Sequence, residues 1–181
     1  MREIADTQRI RRFMRALGAE VHGAVRIYFT GGATAVLIGW RASTIDVDIK
    51  IVPDADLVLR TIPRLKEELQ MNIELASPAD FIPVRPGWEE RSPFVGQEGR
   101  IVFCHFDLVA QALAKIERGH RQDVEDVREM VARGLVDPVR VWNDFEQIQP
   151  DLYRYPAVDP ASFRQALEAI IGPKPTQARD S

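Results

Sequence analysis

The chain has 181 residues, 45% of them hydrophobic and 28% charged, with a net charge of −3, which suits one ordinary domain or a core domain with a small helical appendage. The charge argues against broad nonspecific attachment to nucleic acid, and Cys104, the only cysteine, excludes an internal disulfide and a cysteine-based zinc site. No apolar run is long enough to span a bilayer, and the opening "MREIADTQRI" lacks an apolar signal core, so the expectation is a cytoplasmic protein without a membrane partner.

Taken in chain order, Ile4, Ile10, Phe13, Met14 and Leu17 recur at roughly helical spacing, predicting an amphipathic helix that stops at Gly18. "VRIYFT" is a β-rich run, and the pair Gly31-Gly32 leads from its end into the short apolar helix "ATAVLIGW". "IDVDIKIV" then alternates: Ile45, Val47, Ile49 and Ile51 share one face, and Asp46, Asp48 and Lys50 the other. A helix follows over 55–69, with Pro63 placed to kink or divide it. "MNIELA" reads as a strand, 77–99 as a long irregular connection rich in Pro, Gly and charge, and "RIVFCHF" as a strand.

Asp107 stands where it can cap a helix through "LVAQALAKIER", Gly119 interrupts that helix, and "QDVEDVREMVARG" forms a second helix ending at Gly134. Two further helices each open on Asp-Pro, at Asp137 and Asp159, and a polar tail begins at Gly172. The expected fold class is α+β, a small twisted mixed sheet of four strands with helices on one face and a helical C-terminal portion. The expected organisation is a domain over 1–134, a helical extension over 135–171 and a frayed tail over 172–181.

The unusual chemistry is concentrated in "YFTGGATAVLIGWRASTIDVDIKI". Asp46 and Asp48 project from one face of a strand, so their carboxylates repel each other unless water or a cation stands between them. A hard divalent ion suits them, since Mg²⁺ takes carboxylate oxygens, waters and substrate phosphates. Gly31 and Gly32 let the backbone N–H groups of the following helix approach an anion, which the helix dipole favours. Arg41, Ser43 and Thr44 add a cation and two hydroxyls where a phosphate tail would lie. Each feature also has an ordinary explanation, as a plain turn or a solvated strand face. Their combination within about twenty-five residues points to a metal and phosphate site.

This stretch, over residues 27 to 52, resembles the signature of the nucleotidyltransferase superfamily with the DNA polymerase β-like fold, where a glycine turn precedes an Asp-x-Asp strand. The aromatic before the glycines and the Arg-x-Ser-Thr-x-Asp-x-Asp approach are similar to the bacterial branch containing AbiEii-type toxins. The resemblance implies that Gly31 and Gly32 contact nucleotide phosphates and that Asp46 and Asp48 hold Mg²⁺ or Mn²⁺. A second region, "AKIERGHRQDVEDV", fits the same branch through Lys115, Arg118 and Asp123. Lys115 and Arg118 would offset phosphate charge, and Asp123 would orient them or assist the acceptor; a salt-bridged helix surface is the plain alternative.

A third metal carboxylate, usual in the superfamily, falls to Glu74 or Asp80. The implied activity is metal-dependent transfer of a nucleotidyl group from a nucleoside triphosphate to an acceptor hydroxyl on a tRNA, a protein or a small molecule, with a toxin role and an antitoxin partner among the implications. A catalytically degenerate nucleotide-binding or protein-interaction module is the alternative, and the apolar faces of the C-terminal helices would also suit a second copy of the chain.

Overall fold

In the computed structural model, which describes residues 3–176, Asp6 starts the first helix: its side chain accepts the Arg9 N–H at 2.9 Å, and α1 runs over Thr7–Glu20. The helix therefore begins later than the spacing of Ile4 suggested, and Ile4 stands exposed before it. It also continues through Gly18. That glycine is there for close packing, because a Cβ on it would stand 2.6 Å from the Glu98 carbonyl oxygen.

The other elements are β1 (Val25–Thr30), α2 (Gly31–Ile38), β2 (Asp46–Val52), α3 (Asp56–Glu68), β3 (Asn72–Leu75), β4 (Phe94–Glu98), β5 (Ile101–His105), α4 (Leu108–Arg118), α5 (Arg121–Ala132), α6 (Pro138–Ile148) and α7 (Pro160–Ile171). Pro63 leaves α3 undivided. The mixed α+β class holds, with five strands in place of four. The added strand, β4, lies in the stretch expected to be irregular: "FVGQE" has no clean apolar alternation and pairs on one side only, as the edge partner of β5.

The chain divides into two compact units, Met1–Asp80 with Glu89–Asp107 and Phe81–Trp88 with Leu108–Ser181. The first holds the sheet, in the order β3-β2-β1-β5-β4, with β1 antiparallel to β2 and parallel to β5, and β2 parallel to β3. One face of the sheet, through Val25, Ile27, Phe29, Val47, Ile49, Ile51, Ile101 and Phe103, packs with α1, α2 and α3 into a single apolar core. Alternation then places Asp46, Asp48 and Lys50 on the face away from that core. Cys104 is buried, and burial pushes its thiol pKa up, as befits a small core residue.

The second unit is helical. Asp137 and Asp159 cap α6 and α7 through the N–H groups of Val139 and Ser162, both at 2.9 Å, with proline in the first turn of each helix. Phe145 stacks on Phe163 at 5.0 Å and meets Trp142 edge-on at 6.0 Å. The start of the expected tail is tied down, since Trp142 Nε1 donates to the Gly172 carbonyl at 3.1 Å and Lys174 pairs with Glu146 at 2.6 Å. The rest of that tail, 177–181, lies outside the described residues.

Candidate functional site

Strand β1 passes into α2 without an intervening turn, so Gly31 and Gly32 are the first two residues of the helix. Gly31 adopts φ +59°, a left-handed conformation that costs an L residue about 1–2 kcal/mol. A Cβ there would also lie 3.2 Å from Asp48 Oδ2. The carboxylate of Asp48 therefore reaches the start of the glycine-led helix, as the Thr30–Asp48 register of β1 and β2 requires.

Gly32 is glycine for a different reason. A Cβ on it would overlap the Thr44 hydroxyl and stand 2.7 Å from Thr44 Cβ. Thr44 has no room to yield: it is buried, its Oγ1 donates to the Asp46 carbonyl at 3.0 Å, and its backbone forms a bridge with Ala5. The Thr44 hydroxyl expected to meet phosphate thus also packs against Gly32 and ties the entry of β2. Gly32→Ala is expected to destabilise the protein by about 1–3 kcal/mol. Urea unfolding of Gly32→Ala, Thr44→Gly and the double variant checks this: the cost of the alanine should shrink in the Thr44→Gly background, and strict additivity would refute the clash.

Arg41 comes close to the same turn, its Nη1 lying 3.4 Å from where a Gly32 Cβ would stand. Ser43 sits half-buried in the connection between α2 and β2.

Parallel pairing of β2 with β3 places Asn72 opposite Asp46 and Glu74 opposite Asp48. Asp46, Asp48, Asn72 and Glu74 therefore share one face. Asn72 Nδ2 donates to Asp46 Oδ1 and, at 2.8 Å, to Glu74 Oε1. A donor held between two carboxylates stands where a cation would also be welcome. Asp80 is used elsewhere, accepting the Ser77 N–H at 2.8 Å within the short 3₁₀ turn Pro78–Asp80. Of the two residues offered as a third carboxylate, only Glu74 is in register with the Asp-x-Asp pair. Among the described residues, no group of three or more His, Cys, Asp or Glu side chains is placed to hold a metal ion. Mg²⁺ can be held by one or two carboxylates, since it keeps waters and substrate phosphates in its shell.

His105 lies at the end of β5 in the same unit, with Nδ1 3.0 Å from the Thr34 hydroxyl one turn into α2. Burial, reinforced by the positive Arg11, pulls its pKa down to about 4. The unfolded chain, with histidine near 6.5, then binds the proton more readily than the native state. The stability from a neutral His105 is present above about pH 6.5 and is lost as pH falls toward 4, a loss of about 3 kcal/mol. Urea midpoints across that range should fall for the native sequence and stay flatter for His105→Gln; parallel curves would refute the assignment.

Lys115, Arg118 and Asp123 come together in the second unit, and with them Asp126, which sequence reasoning missed. Buried Lys115 donates from Nζ to Asp126 Oδ2 at 2.7 Å and lies 3.6 Å from Asp123 Oδ1. Arg118 grips Asp123 with two bonds, at 2.7 and 2.5 Å, and the His120 N–H adds a third at 3.2 Å. Burial works to raise the Asp123 pKa, but the Arg118 bonds, the charges of Lys115 and Arg118 and the His120 N–H hold it below the usual carboxylate range. The missed signal was the three-residue spacing of Asp123 and Asp126 on one helix face.

No helix among the described residues is long and apolar enough to cross a membrane. Residues 8–155 match a family model described as "Nucleotidyltransferase of unknown function (DUF6036)". The match supports the superfamily and does not extend to the AbiEii-like branch. No curated protein and no solved structure gives a significant match.

Proposed function

Because the chain belongs to this nucleotidyltransferase family of unknown function, matched over most of its length, we propose that it transfers a nucleotidyl group from a nucleoside triphosphate to an acceptor hydroxyl, with release of pyrophosphate. The observation that carries the reading is the Asp48 carboxylate at the left-handed Gly31 that opens α2, with Asp46 beside it and Glu74 in register across β3. The backbone N–H groups at the start of α2 bind phosphate oxygens, and Arg41 adds a planar cation next to them. Asp46 and Asp48 would hold a Mg²⁺ or Mn²⁺ ion, with Glu74 in register on the neighbouring strand. When bound, the ion supplies Lewis-acid neutralisation of the phosphates.

Asn72 keeps the Asp46 and Glu74 carboxylates apart and oriented until that charge arrives. In the second unit, Lys115 and Asp123 hold α4 and α5 together, and Arg118, 55% exposed, grips Asp123.

The test incubates the full chain with each α-labelled nucleoside triphosphate, Mg²⁺ or Mn²⁺, and a pool of RNA, protein and small hydroxyl compounds. Label should enter one acceptor class and vanish when EDTA is added; labelling that survives EDTA, or none with any triphosphate, would sink the proposal. A second reading, a nucleotide-binding module without turnover, is favoured by the lack, among the described residues, of three or more His, Cys, Asp or Glu side chains placed to hold a metal ion. It predicts triphosphate binding by calorimetry with no transfer.

A further inference from the structure

Helix α1 turns Ile10, Phe13, Met14 and Leu17 into the core, and the spacing 8, 11, 12, 15 puts Gln8, Arg11, Arg12 and Arg15 together on another face. With Thr7 they line an open groove of about 370 Å³. The chain has 27 acidic residues, yet among the described residues none forms an ion pair with Arg11, Arg12 or Arg15. Their neighbours on the same layer differ: Arg9 pairs with Glu3, and Arg64 with Glu20 and Glu68. Arg11 and Arg15, four residues apart, and Arg12 and Arg15, three apart, repel each other with no carboxylate to relieve them.

The groove carries guanidinium, hydroxyl and amide groups and no aliphatic or aromatic anchor. A protein partner would need such an anchor at the centre of its interface, whereas phosphate backbones are held by Arg, Thr and Gln side chains. The seven helical steps from Gln8 to Arg15 span about 10 Å, more than one phosphate occupies. Arg11 also places the groove beside β4 and the end of β5. Its Nη1 is 3.5 Å from where a Cβ on Gly96 of β4 would stand, and its charge acts on His105, the partner of Thr34 in α2.

We propose that this groove binds the sugar–phosphate backbone of a single-stranded RNA that presents the acceptor hydroxyl. The RNA binding stands on the groove alone; the word acceptor rests on the transferase reading above.

The full chain, without nucleotide or metal, is titrated against a fluorescein-labelled single-stranded RNA of mixed sequence, followed by anisotropy at several salt concentrations. Binding should weaken with salt with a log–log slope of about −2, for three phosphates neutralised. Arg11→Gln with Arg12→Gln and Arg15→Gln should lose about tenfold or more in affinity and flatten the slope. A control with Arg60→Gln, Arg128→Gln and Arg140→Gln removes equal charge from exposed positions elsewhere and should stay within about twofold.

No binding by the native sequence, an equal loss in the control, or poly-glutamate competing as well as unlabelled RNA would overturn the proposal, the last by assigning the groove to an acidic protein. Transfer activity is measured in parallel. Transfer by a native chain that binds no RNA sinks the groove alone, transfer left intact in a triple variant that has lost RNA binding sinks the acceptor role, and RNA binding without any transfer sinks the transferase reading alone.

Discussion

Asp46→Asn combined with Asp48→Asn is expected to lower nucleotidyl transfer about 10³-fold while the chain stays folded. The amide keeps the size and shape of each side chain, and the Thr30–Asp48 and Asp48–Glu74 registers depend on backbone pairing that the substitutions do not touch. Asn72 can still donate to an amide oxygen at position 46. What disappears is two negative charges beside the start of α2. Lewis-acid stabilisation of a transferring phosphoryl group is worth several kcal/mol, and about 1.4 kcal/mol is a decade in rate, which sets the expected loss. Single-turnover transfer and circular dichroism on the same samples check it. A variant within about tenfold of the native rate would place the chemistry elsewhere.

Lys115→Met is expected to cost about 3–5 kcal/mol of stability, because it strands a fully buried Asp126 carboxylate. Gln122, at 3.2 Å from Asp126 Oδ1, cannot replace a charge. Asp123 suffers less, since Arg118 still holds both of its oxygens. Removing the partner as well, in Lys115→Met with Asp126→Leu, should recover most of the loss, because an apolar pair of similar volume often replaces a buried ion pair at little cost. Urea unfolding of the three variants measures this. A single-variant cost below about 1 kcal/mol, with transfer abolished, would make Lys115 a group kept for chemistry and overturn the structural role assigned here.

These two outcomes draw on different layers of information. The Asp-x-Asp face was legible because a strand's period of two sorts residues 45–52 without reference to anything else. The Asp-Pro starts of α6 and α7 were legible for the same reason, a cap being satisfied within three residues. β4 was not, because an edge strand needs one partner and little apolar content, and "FVGQE" becomes a strand only when β5 lies beside it. Gly18 read as a helix stop and proved to be an approach point for the Glu98 backbone. Thr44 read as a phosphate hydroxyl, and its packing role, as the wall that keeps position 32 glycine, was not legible.

By itself, then, the sequence determined the inventory and the local geometry: an amphipathic first helix, a glycine pair opening a helix off a strand, and two aspartates on one strand face. These follow from periodicity and capping, which are local. The tertiary structure alone decided that Glu74 and not Asp80 faces Asp48 and that Asn72 stands between two carboxylates. It also decided that Lys115 is committed to Asp126. The reason is physical: β2 and β3 meet only after the whole of α3 has intervened, and their register is set by the shared core of Val47, Ile49 and Ile73. No pattern within either strand specifies that register.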